Sequence, residues 1–227
     1  MFTLLSNNAS NNILHINKKE NVVGNLITLE PIQQTVMTVK INGTSPFIQH
    51  KWAEKSLKMI RDKKAGLRVK NREVCDPEQE FRDACYRLTD GRYGFPAGGV
   101  KQCLIGAAHK DIGLEKTLLK KSLFIQPDDR ELNLIALITD EPKMREDIVR
   151  VGSGSTDLRY RPEFSEWSMV ITFEFDSKAL SQEAILNLID RAGFGVGLGE
   201  WRPEKGGEHG RFKLDREYGI DYVGKVA

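Results

Sequence analysis

Cysteine is scarce in this chain and unsuited to cross-linking. Cys75, Cys85 and Cys103 are odd in number and none forms a CxxC pair, so a disulfide framework and a zinc site are both excluded. They read as reduced thiols of a cytoplasmic protein, and Cys85 and Cys103 fall on apolar helical faces as core residues do. No apolar run approaches the roughly 18 residues of a membrane span. No basic segment followed by an apolar stretch opens the chain, so a secretory leader is not expected. Charge of one sign is lacking too. The net charge of +2 gives no global field for nucleic acid, and any such case must rest on local patches. There is no GK[ST] ending to make a P-loop, and no repeat at a period of roughly 20–50 residues. No metal or cofactor is expected: the adjacent carboxylates Asp128 and Asp129 have no histidine partner, and such pairs solvate turns.

What is present begins with glycine. Gly193, Gly195, Gly197, Gly199, Gly206, Gly207 and Gly210 fall within twenty residues. The first four alternate with Phe194, Val196 and Leu198, the period of a strand with one bare and one apolar face. Trp201, Arg202, Lys205, His209 and Arg211 share the run, on an expected flexible loop. A bare backbone beside cations and an aromatic suits a phosphate chain with bases; a tight strand–loop–strand corner is the plainer alternative. The second concentration is basic. Segment 51–72 carries nine cations, among them Lys51, Lys55, Lys58 and Arg61, against Glu54 and Asp62. It reads as a solvated face or as a phosphate-binding surface.

In chain order, residues 1–25 are rich in Asn, Ser and Lys and read as a flexible arm, with one elaborated domain over 26–227. Alternation predicts a strand over 32–42, and Ser45-Pro46 suggests a helix over 46–64. Asp76-Pro77 opens a second helix, with Phe81, Ala84, Cys85 and Leu88 on one face. Residues 94–99 form a loop into a third helix, whose stripe is Val100, Cys103, Leu104, Ala107 and Ala108. Buried strands follow over 122–125 and 132–138. Residues 141–165 show no period, are rich in arginine and glycine, and read as a long excursion. The clearest strand is 167–176; a helix capped by Ser181 and a last strand over 208–214 complete the chain. Setting aside 46–90 and 141–165 as insertions, the order is βαββαβ. That is an α+β, ferredoxin-like (RRM-like) core, with two helices on one face of an antiparallel sheet.

These pieces resemble the RAMP superfamily, whose members include RNA-binding backbone subunits of CRISPR effector complexes. The resemblance is carried by the early strand followed by GTSPFI (43–48), by GFPAGGVK (94–101) before a small-residue helix, and by the glycine-rich run 195–210. It implies that the glycine loop lies against RNA. The segments MREDIVRVG (144–152), DLRYRPEFSEW (157–167) and AGFGVGLGEWRPEKGG (192–207) resemble a family of phage and prophage proteins, which implies a viral setting and no particular chemistry.

Three functions follow as alternatives. The first is a single-stranded nucleic-acid-binding subunit that assembles along the strand, as a homo-oligomer or within a multi-subunit complex, with RNA favoured over DNA by the resemblance. Lys51, Lys55, Lys58, Arg61, Arg150, Arg159, Arg161, Arg202, Lys205, His209 and Arg211 would meet phosphates, and Trp201, Tyr93 and Tyr160 would stack bases. The second is a structural or host-defence-interacting protein. The third is a metal-independent endoribonuclease using a histidine among His50, His109 and His209, none of which sits in a recognised catalytic motif.

Overall fold

The computed structural model describes residues 31–52, 54–67, 76–109, 112–151, 154–219 and 221–223, with backbone only at 54–56, 151, 155 and 221–223. The expected N-terminal arm, and Arg68, Lys70, Arg72 and Cys75, lie outside the described residues. Two strands of ten residues, each with alternate apolar side chains, make the central sheet. In β1 (Gln34–Gly43), Thr35, Met37, Val39 and Ile41 are buried. In β9 (Trp167–Asp176), Trp167, Met169, Ile171, Phe173 and Phe175 are buried. The strands run antiparallel, Gln34 opposite Asp176 through Asn42 opposite Ser168, so both apolar sets fall on one face. The other face carries threonine and charge, with the Thr38 and Thr172 hydroxyls 3.0 Å apart.

β4 (Leu123–Gln126) pairs with the outer edge of β9, and β10 (Phe212–Leu214) with the outer edge of β1. The antiparallel order is β10–β1–β9–β4, with short strands β6 (Ile138–Thr139) on β9 and β11 (Asp221–Val223) on β1. Two helices share the apolar core with this sheet. α3 (Ala97–Ala107) buries Val100, Cys103 and Leu104, and α5 (Gln182–Gly195) buries Ile185, Leu188, Ile189 and Ala192. The Ser181 hydroxyl caps α5 by accepting from the Ala184 amide at 3.1 Å. Read in order, β1–α3–β4–β9–α5–β10 is the expected α+β ferredoxin-like core.

Four expectations need correction. No helix starts at Pro46. Phe47–Ile48 is a two-residue strand, β2, fully buried on a later strand, β8 (Ser155–Phe164), and α1 (Glu54–Lys64) begins later, with Met59 and Ile60 exposed. Tertiary pairing of two buried residues overrides the proline signal there. The second helix, α2 (Pro77–Asp83), starts as read, with Asp76 accepting from the Gln79 amide, but stops at Asp83. Ala84, Cys85 and Leu88 are still buried, because the chain turns back through the Leu88 N–H to Arg92 carbonyl bond. Part of the loop expected over 94–99 is β3 (Gly94–Pro96), paired with β5 (Leu134–Ala136). The unpatterned excursion is a long hairpin. β7 (Lys143–Val151) and β8 (Ser155–Phe164) pair from Lys143 opposite Glu163 to Val151 opposite Ser155. With β2 they form a second sheet, ordered β2–β8–β7.

Candidate nucleic-acid interface

The glycine run is neither a strand nor a loose loop. Gly193 and Gly195 lie in the last turn of α5, where a Cβ at Gly193 would come 2.0 Å from the Phe212 carbonyl oxygen, so only glycine lets the helix seat on β10. From Val196 to Arg211 the chain is pinned by its own backbone. The Leu198 amide donates to the Gly210 carbonyl at 2.9 Å, and the His209 amide to the Trp201 carbonyl at 3.0 Å. The Glu200 amide bonds the Ile48 carbonyl at 2.9 Å and the Gly210 amide the Pro46 carbonyl at 2.7 Å, stitching the loop to the chain between β1 and α1. Gly210 combines a φ of +67° with a Cβ position 1.8 Å from the Leu198 carbonyl oxygen, so a side chain is excluded twice over. A Cβ at Gly207, Gly199 or Gly197 would come within 1.8, 2.2 or 2.7 Å of a neighbouring atom, and Gly206 ends a short 3₁₀ turn over Pro203–Lys205. The plainer reading of this run, a tight corner, therefore accounts for most of its glycine.

The loop nevertheless walls a cleft. A space of about 590 Å³ opens between α3, the loop and α4 (Lys116–Ser122). Lys116, Lys120, Arg202 and Lys205 line it against two carboxylates, Glu200 and Glu204. Both carboxylates are engaged. Arg202 donates from Nε and Nη2 to Glu204 Oε2 at 3.1 and 2.8 Å, and Arg161 Nη2 lies 3.8 Å from Glu200 Oε2. Lys116, Lys120 and Lys205 have no carboxylate at ion-pair distance among the described residues. Lys116 and Lys120 stand one helical turn apart, a rise of about 6 Å, comparable to the step between neighbouring phosphates. The cleft thus carries more cations than carboxylates, and Tyr86 and Phe95 give its wall an aromatic part.

The hairpin arginines serve a different end. Arg145, Asp147, Arg159, Arg161 and Glu163 project from one face of the hairpin toward the loop and His50. Asp147, itself buried, accepts from Arg145 Nε at 2.7 Å and from Arg161 Nη1 at 3.4 Å. Arg145 Nη1 also donates to Glu163 at 2.7 Å and lies 3.3 Å from His209 Nε2. Arg159 Nη1 donates to His50 Nε2 at 2.7 Å, which puts the His50 proton on Nδ1. Burial, with Arg161 and Arg159 beside it, holds the His50 pKa below its ordinary 6.5. The Nδ1 atoms of both histidines and Nε of Arg161 are buried with no protein partner. Nε2 of each imidazole thus faces an arginine while Nδ1 is enclosed, and the His50 ring also lines the cleft. This network joins the hairpin to the loop, and Arg159, Arg161 and His209 all take part in it.

The other residues singled out in the sequence are scattered. Lys51, Lys58 and Arg61 are exposed around α1, and only the backbone of Lys55 is described. Arg150 sits near the hairpin tip on the opposite face from Arg159 and Arg161. Arg211 lies over the Phe194 ring at 5.2 Å. Trp201 is 43% exposed in the left-handed region, φ +52°. Tyr93 is no stacking platform, because it is buried and bonds Glu141, and burial first, then that bond, push its pKa up to about 12. His109 is exposed beyond α3. Cys85 and Cys103 are buried as expected, with thiols pushed up to about 11 and about 12, and so are inert at neutral pH. Asp128 and Asp129 knit their turn by accepting from the amides of Ala136, Thr89 and Leu132.

Sequence reasoning missed Lys116, Lys120, Glu200 and Tyr86. The only available signal was the i, i+4 lysine pair in KTLLKKS, on a segment too short to show a face. Among the described residues no cluster of three or more His, Cys, Asp or Glu could hold a metal, and no helix is long and apolar enough to cross a membrane.

No family model matches the chain, and no curated protein matches it. Among solved structures, the chain aligns with one of the type III-B Cmr-beta bound to cognate target RNA, at 11% identity and a TM-score of 0.41. The alignment covers 86% of this chain and 62% of that one, so this chain spans less than two thirds of its length.

Proposed function

We propose that this chain is a single-stranded nucleic-acid-binding subunit whose strand passes through the cleft between α3, α4 and the glycine-rich loop. The observation that carries the reading is the set of three lysines, Lys116, Lys120 and Lys205, left without carboxylates in a cleft whose two acids are already paired. Phosphates would lie along the lysines, Arg202 would close the loop side, and Trp201 would stack a base at the rim. The sequence resemblance to RNA-binding subunits favours RNA over DNA, and it suggests side-by-side assembly along the strand in a viral setting. The exposed lysines of α1 are a secondary surface for the same polymer.

The test is fluorescence anisotropy with labelled single strands of RNA and DNA over a salt series. Contacts from three lysines to three phosphates give a log–log salt slope of about −2. Lys116→Glu with Lys120→Glu weakens binding by about a hundredfold and leaves the melting temperature unchanged. Binding that ignores salt, or that survives this double reversal, sinks the cleft reading.

A further inference from the structure

The outer face and outer edge of the hairpin have no part in the cleft. Residues Met144, Glu146, Ile148 and Arg150 of β7 share that face with Thr156, Leu158, Tyr160 and Pro162 of β8. Ile148 is 73% exposed, more than any other large apolar side chain described, and Met144 and Leu158 are also exposed. β7 ends its sheet, so one edge of nine residues carries no partner among the described residues. A long edge strand with an apolar face is a template for another strand.

We infer that β7 pairs antiparallel with β7 of a second copy, about a two-fold axis at Ile148. The order of residues in the strand argues for this partner and this register. With Ile148 opposite its own copy, each Glu146 faces an Arg150, twice by symmetry, and no like charges meet on that face. Ile148 then lies beside Leu158 in each protomer, so an apolar row of four side chains crosses the two hairpins, flanked on both sides by Glu–Arg pairs. Of the two neighbouring registers, the one centred on Asp147 opposes two aspartates, and the one centred on Val149 sets Ile148 against Arg150 and loses the Glu146–Arg150 pairs. An isologous pair of this kind is closed and leaves no further edge to propagate. It does not rest on the nucleic-acid reading, since it uses none of the cleft residues.

The experiment is sedimentation of the nuclease-treated full chain from about 1 to 100 μM, with the 260/280 nm absorbance ratio confirming that no polymer links the copies. A concentration-dependent monomer–dimer equilibrium is expected. Ile148→Asp abolishes it and leaves the melting temperature of the dilute monomer unchanged, because the side chain is exposed there. Glu146→Arg and Arg150→Glu each weaken the dimer about tenfold, and the two combined restore it to within about threefold. A monomer throughout, a dimer indifferent to Ile148→Asp, or a combined variant as weak as either single one overturns the pairing. So does an edge that takes up only an unrelated extended peptide.

Discussion

The two sheets of this protein use the same backbone geometry with opposite side-chain logic. The central sheet turns its apolar face to α3 and α5 and leaves threonine and charge on the other face. The hairpin sheet turns charge inward, Arg145, Asp147, Arg161 and Glu163 against the glycine loop, and leaves Met144, Ile148 and Leu158 outward. The first is held by water-driven burial, which is non-directional and tolerates exchange among apolar residues. Among the described residues the second joins that core only at Phe47 and Phe164, and its face toward the loop is held by charge-assisted hydrogen bonds, which are directional and leave unpaired groups when a partner is lost. Burial therefore secures the scaffold, and polar geometry sets where the hairpin meets the loop beside the cleft.

The largest effect expected from breaking this contrast lies in the scaffold. Phe173→Ala removes a fully buried ring from β9 and lowers stability by about 4 kcal/mol, read as a cooperative loss in denaturant unfolding of the whole domain. A loss confined to the hairpin would contradict the division. Next, Asp147→Ala leaves Arg145 and Arg161 without their shared acceptor and costs about 3 kcal/mol. Here hydrogen exchange should quicken at β7, β8 and the glycine loop, with β1 and β9 still protected; equal quickening everywhere would merge the two regions. The smallest effect is a pH dependence. His50 has a folded-state pKa below 6.5, so the unfolded chain takes up its proton first. Its contribution is complete above 6.5 and is lost as pH falls from there toward the folded pKa. Denaturation midpoints at about pH 7.5 and about pH 5.5 should differ less in His50→Gln than in the parent. An unchanged difference would remove His50 from the network's energetics.

Legibility in the sequence followed the same divide. β9 is found residue for residue, and β1, α3 and the start of α5 nearly so, because apolar alternation and helical stripes report burial directly. The hairpin shows no hydropathy pattern because its buried face is charged, so hydropathy does not alternate even though the chain does. The Gly193–Gly199 alternation looked like a strand because spacing cannot distinguish a bare face from a set of close contacts. Of the site, Arg202, Lys205 and Trp201 were legible from the glycine run. Lys116 and Lys120 were not, since no local pattern tells that α4 faces the loop across more than 80 residues of chain.

By itself, then, the sequence determined the βαββαβ order, the faces of the central strands and helices, the cap at Ser181, and the inert burial of Cys85 and Cys103. These depend on local periodicity and on transfer of apolar surface from water, which a one-dimensional pattern encodes. Only the tertiary structure decided which cations remain without partners, which arginines are spent on Asp147 and His50, and which strand edge stays open. Each of these depends on pairing between groups far apart in the chain, and a charge is available to a ligand only when the fold leaves it unpaired.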